Sequence, residues 1–99
     1  MNFGALDGVR VLDASTVGEI RRQQIPDLVG WRQGLIWYGQ TRWGFFTTGH
    51  TGGDYGESTR MFFRPDRRLG VISLTNAYLG DGRWAAFSDI ERRLFQEFS

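Results

Sequence analysis

The chain has no cysteine, so disulfides and thiolate metal sites are excluded. It has no lysine either: all twelve basic residues are arginine. A lysine general base, a Schiff base and a phosphate-loop lysine are therefore ruled out. There is one histidine, His50, and only two prolines, Pro26 and Pro65. No apolar run approaches the roughly 20 residues that a membrane span needs. Net charge is only +1, which gives no electrostatic reason to expect nucleic acid or anionic lipid as a partner. Met1-Asn2-Phe3-Gly4 shows neither a basic n-region nor an apolar h-region, so no signal peptide is expected. The compartment stays open.

What is present is a globular composition: 99 residues, 40% hydrophobic, with 14 glycines. That length fits one domain with a modest core. Leu12–Gln24 reads as a helix with Asp13 as N-cap, Ala14, Val17 and Ile20 on one stripe, and Pro26 and Gly30 beyond its end. Strand patterns follow at 34–40, 43–52, 57–64 and 69–76, with Gly39-Gln40-Thr41 as the first turn and Pro65-Asp66 as the last. From Arg83 to Phe98 the residues Trp84, Phe87, Ile90, Leu94 and Phe98 recur at helical spacing, with Asp81 or Gly82 as the cap. The expectation is an α+β domain: an antiparallel sheet of three to four strands, the fourth being 34–40, flanked by an N-terminal and a C-terminal helix. Fifteen aromatics are many for so small a sheet, and both its faces are expected to be apolar, as in part of a larger body or an oligomer.

The chemistry-bearing residues concentrate in "TTGHTGGDYGES", 47–58. His50 has no other histidine to join it at a metal, and Asp54 and Glu57 in a glycine turn make a weak ligand set. A triad from Ser58, His50 and Asp54 is conceivable, but no G-x-S-x-G elbow exposes a serine. Asp81 with Asp89, or Asp54 with Glu57, would pair carboxylates; solvated turn and helix positions explain them equally. The glycine-rich run lacks the context of a phosphate loop, and Arg67-Arg68 is a charged turn. Taken alone, His50 reads first as a strand-end histidine bonded to a neighbour. No cofactor or metal is implied.

The longer segment "GHTGGDYGESTRMFFRPDRRLGVISLTNAY" resembles the third active-site strand and following hairpin of the β-lactamase-like serine hydrolases. These are the class C-type β-lactamases, the D-alanyl-D-alanine carboxypeptidases and the esterases of that fold. Their strand carries Lys-Thr-Gly or His-Thr-Gly and a further Gly, matched here by His50-Thr51-Gly52-Gly53. Gly56, Ser58-Thr59, the Pro65-Asp66 turn and "VISLTN", 71–76, follow in order, and "GVRVLDASTVGEIRRQQ" and "QGLIWY" resemble upstream elements. The departures are equally definite. The family nucleophile is the serine of Ser-x-x-Lys, and there is no lysine; neither Tyr-x-Asn nor Ser-x-Asn occurs. The resemblance implies a single partial domain over 1–99, the C-terminal part of such a hydrolase. It implies no catalytic nucleophile in this chain and no activity alone. His50, Thr51, Gly52 and Gly53 would form the substrate-binding and oxyanion strand for an amide or ester substrate. Relatives are often periplasmic or extracellular. The open side of strand 43–52 would then be filled by a complementary N-terminal segment or by another copy. The competing expectation is a non-catalytic module that self-associates or binds a partner.

Overall fold

The fold was analysed as a computed structural model, which describes residues 2–27, 30–80 and 82–98. The expected Asp81 cap lies outside them. In chain order the elements are β1 (Ala5–Leu6), β2 (Val9–Arg10), α1 (Ala14–Arg21), β3 (Arg32–Gln33), β4 (Tyr38–Arg42), β5 (Phe45–Asp54), β6 (Glu57–Arg64), β7 (Leu69–Thr75) and α2 (Arg83–Glu97). β1 and β2 form a separate two-stranded ribbon. The other strands form one antiparallel meander in the order β3-β4-β5-β6-β7. Among the described residues the α+β class stands, with two helices and five strands in the main sheet. No helix among the described residues is long and apolar enough to cross a membrane.

Local chemistry sets the turns. Asp7-Gly8 and Trp43-Gly44 each hold positive φ at both positions, 49° and 80°, then 54° and 85°. Two successive left-handed residues make the tight hairpin turn whose twist matches its strands. Gly39-Gln40-Thr41, expected as a turn, instead lies inside β4, and the reversal comes at Trp43-Gly44. The Phe46 ring lies where a Cβ on Gly39 would be, so this glycine serves close packing within the strand and not a turn. The expected strand 34–40 is therefore split. Gly34 N–H donates to the Trp37 carbonyl at 2.8 Å across a turn, and the strand starts at Tyr38.

The helices are also corrected in part. α1 starts after Asp13 as expected, although the Asp13 side chain makes no cap bond, and it stops at Arg22, well before Pro26. None of its residues is buried; Arg21 stacks on Phe63 at 5.6 Å. α2 spans the expected range and starts after Gly82, but its inward face is turned. Phe95 and Glu91 are the buried residues, while Ile90 and Phe98 are 53% and 70% exposed. The cause lies in the sheet.

Residues on β6 alternate between faces. Ser58, Arg60, Phe62 and Arg64 point toward α2; Thr59, Met61 and Phe63 point away. Phe62, Val71 and Phe95 make a small core, with Tyr38, Phe45, Leu69 and Leu94 against it. Arg60 lies beside that core and is itself buried. Glu91, 1% exposed, meets it with Nε and Oε2 3.0 Å apart, and Arg42 Nη1 stands 3.9 Å from the same oxygen. Burial first, and the charge of Arg60 second, lower the pKa of Arg42; Glu91 opposes both. A desolvated guanidinium needs its carboxylate more than the helix needs a purely apolar contact stripe. The helix therefore presents Glu91 inward and leaves Ile90 outside.

Removing Glu91 would strand Arg60 in the interior. Glu91→Ala is expected to lower stability by about 3–5 kcal/mol in urea unfolding. A smaller effect is expected in acid. Hydrogen bonds from Arg22, then Gln24, bring Glu19 from its ordinary 4.5 to about 2. Bonds from Arg64 lower Asp66, and bonds from Arg92 and Arg93 lower Asp89. Each folded pKa lies below the unfolded one, so this stabilisation is complete above the ordinary carboxylate pKa and is lost as pH falls toward 2. All three carboxylates face solvent, so added salt should shrink the pH dependence of the melting temperature over that window.

Candidate functional site

β5 changes character at its midpoint. β4 pairs with it from Phe45 to Gly49, with Tyr38 opposite Gly49. From Thr48 to Asp54 β6 runs along its other side. Beyond Gly49, no strand among the described residues covers the β4 side, so His50 to Asp54 form a half-open edge. The expected opening along 43–52 is thus confined to the second half of β5; its first half is closed by β4.

The strand ends over a groove of about 700 Å3. Thr51, Gly53 and Ser58 lie on the sheet face that α2 covers, with Gly53 opposite Ser58. Tyr78 and Trp84 form the walls, and Tyr55 stands at the mouth. Trp84 is held by Arg60 at 5.5 Å and by an edge-on contact with Phe87 at 6.1 Å. The Tyr78 ring sits in the space that a Cβ on Gly80 would take. Asp54 is occupied at the hairpin tip, where Oδ1 accepts the Tyr55 N–H at 2.7 Å.

His50 points to the opposite face, beside Met61, and lies outside the groove lining. Its ring meets Tyr38 edge-on at 5.7 Å, and Nδ1 lies 2.5 Å from the Thr51 carbonyl oxygen. Since a carbonyl only accepts, Nδ1 is the donor in this contact. His50 and Ser58 are on opposite faces of the sheet, so they do not form a nucleophile–base pair, and Ser58 is buried. Among the described residues no three of His, Asp and Glu converge as a metal-binding group. Arg67 and Arg68 belong to the β6–β7 turn, where Arg68 has φ 53°.

The glycines of this strand have separate duties. A Cβ on Gly49 would come 2.0 Å from the Met61 carbonyl oxygen and 2.7 Å from Phe62 Cα, so side-chain absence there is structural. A Cβ on Gly52 would approach Thr59 Oγ1 at 2.7 Å, on the face away from the groove. On Gly53 its nearest neighbour would be the Glu57 carbonyl oxygen at 3.5 Å, an ordinary contact. Gly53 leaves space that the fold does not use.

Sequence reading missed the walls. Trp84 was expected in the helix core, and Tyr78 carried no assignment. The available signal was Gly80 and Gly82 between two aromatics at the start of a helix, which lets both rings turn toward one place.

The contrast between the glycines is measurable. Gly49→Ala is expected to cost about 2 kcal/mol or more, because backbone atoms must move. Gly53→Ala should change stability by under about 1 kcal/mol. Chemical unfolding of the two variants decides this.

In comparisons with known proteins, the chain matches no family model, no curated protein and no solved structure.

Proposed function

We propose that the chain is the substrate-gripping part of a serine acyl-transfer hydrolase of the β-lactamase-like kind, cleaving an amide or ester, with the nucleophile supplied from outside these 99 residues. The observation that supports this most is the half-open edge His50–Asp54, which ends over an aromatic groove and is cleared by Gly53. An extended substrate would add to that edge as a strand does, with its backbone bonded and one side group in the groove. Thr51 and Gly53 lie two apart and so present their backbone groups on the same edge; His50 already occupies the Thr51 carbonyl, which leaves both N–H groups and the Gly53 carbonyl for a substrate.

Acyl transfer adds a serine oxygen to the carbonyl carbon: the hydroxyl proton passes to a base supplied with the serine, the carbonyl π electrons move onto oxygen, and their return breaks the C–N or C–O bond and releases the amine or alcohol, which takes up that proton. That oxyanion needs fixed N–H donors, and one such donor is typically worth about 10²–10³ in rate. In this reading the Gly53 N–H is one donor and the Thr51 hydroxyl grips a substrate carboxylate. His50, bonded through Nδ1 to the Thr51 carbonyl, stiffens the strand and lines the open edge. The chain lacks lysine, and His50 and Ser58 belong to opposite faces of the sheet by register, so in this reading the activating base also comes from outside these residues.

Two measurements test the proposal. The isolated chain should not turn over nitrocefin or p-nitrophenyl acetate above buffer; stoichiometric fluorophosphonate labelling of a serine would overturn the missing-nucleophile reading. N-acetyl-D-alanyl-D-alanine at millimolar concentration should shift the amide resonances of Thr51 to Gly53 and the Trp84 indole, and Gly53→Leu should abolish the shifts while leaving the fold intact. Shifts elsewhere, or none, would sink the substrate-strand assignment.

A further inference from the structure

The longest open backbone edge in the main sheet is the outer side of β7. Leu69–Thr75 pairs with β6 along its whole length, and no strand among the described residues pairs on its other side. Edges of this length are normally guarded by a charge, a proline or a bulge. β7 reads Leu-Gly-Val-Ile-Ser-Leu-Thr, with no charge and no proline, and its register against β6 is unbroken.

Apolar surface lies on both sides of that edge. On the face away from α2, Ile72 and Leu74 are 65% and 74% exposed, with Met61 opposite Ile72. On the other face, Ser88 accepts a 2.6 Å hydrogen bond from Arg42 of β4, which fixes one flank of α2 toward β4. Leu94 packs on the opposite flank against the cluster that contains Val71 of β7. An incoming strand would gain a hydrogen-bonding edge and apolar contact above and below.

We infer that this edge is taken by β7 of a second copy of the chain, running antiparallel about a two-fold axis at Ile72. Two five-stranded sheets then become one continuous sheet of ten. The strand suits itself in this register. Ile72 meets Ile72 of the second copy, a β-branched cross-strand pair. Leu74 falls opposite Gly70, whose missing side chain gives it room. Val71 falls opposite Ser73, and Leu69 opposite Thr75. No charge meets its like anywhere along the strand. β7 itself carries no charge. The turn before Leu69 is net positive, with Arg67 and Arg68 against Asp66, and Arg64 on β6 pairs with Leu69; Glu57 sits on β6 one residue beyond the Ser58–Thr75 pair at the other end. The axis brings Arg68 of each copy toward the end of the other that carries Glu57. An arbitrary apolar strand would satisfy the edge but not this doubled charge match, which favours a second copy as occupant. The inference concerns these 99 residues on their own; a segment supplied from outside them that paired with β7 would displace the second copy, whereas the β5 reading stands or falls on ligand shifts at Thr51 to Gly53.

Light scattering at micromolar concentration tests it. The wild-type mass should be twice 11.4 kDa. Ile72→Lys and Ile72→Glu should each give folded monomers, because like charges would face one another at the axis. Mixing the two in equal amounts should restore the doubled mass. A second measurement needs no variant: alternate β7 amides, those pointing away from β6, should exchange more slowly as wild-type concentration rises. A wild-type monomer, variants that keep the doubled mass, a mixture that stays monomeric, growth beyond the dimer, or exchange independent of concentration would each overturn the proposal.

Discussion

A carboxylate buried between two guanidinium groups organises the rest of the molecule. Glu91 of α2 meets Arg60 in the middle of β6 and Arg42 at the end of β4. The apolar cluster of Phe62, Val71 and Phe95 is too small to seat a fifteen-residue helix alone. The ion pair sets which face of α2 turns inward. The arginines also act as flat packing surfaces: Arg60 lies over Phe62 at 4.7 Å, Arg64 over Phe45 at 3.9 Å, and Arg42 over Trp43 at 4.3 Å. Lysine could not do this, since an ammonium is a hydrated point charge without a face to stack. The absence of lysine, read first as an exclusion of chemistry, is thus also a feature of the packing.

That arrangement reaches the candidate site through one residue. Arg60 touches Glu91 on one side and the Trp84 ring on the other. The ring that walls the groove is therefore fixed by the same guanidinium that anchors the helix. Gly49 contributes from below, because its missing side chain lets Tyr38 cross β5 and meet Phe62 edge-on at 5.5 Å. Tyr38 is also the last residue of β4 to pair with β5, so the place where the edge opens and the place where the core packs are set by one side chain.

Much of this was legible in the sequence and some was not, for physical reasons. β5, β6, β7 and α2 announced themselves through alternation, turn residues and helical spacing. The β1–β2 ribbon was missed although Asp7-Gly8 is a strong hairpin signal, because two-residue strands carry no alternation to read. The Trp43-Gly44 turn was hidden by a bulky residue in a left-handed conformation, held there by contacts of Trp43 with Arg42 and Phe45. The face of α2 was misread because periodicity counts apolar residues, whereas the decisive residue was an acid whose partners lie on other strands. The run His50 to Gly53 was singled out as a candidate on its residue types alone. Its division into a histidine on one face, a threonine and a glycine on the other, and an edge open only beyond Gly49 came from register.

The sheet has two open edges of different kinds, and the difference follows from composition. The second half of β5 contains two glycines and a threonine, is short, and ends over aromatic walls, which is the basis for proposing a small extended ligand there. β7 is longer, regular, apolar on both sides and neutral, and it matches only another strand. A ligand on β5 and a copy on β7 would not compete, since β6 separates them and pairs with both. They would still be coupled. β6 carries Arg60 between Thr51 on one neighbour and Ser73 on the other, and it holds Glu91 and Trp84 from that position. Ordering β7 by pairing would restrain β6, and through Arg60 the wall of the groove, without any change in the contacts made at the site.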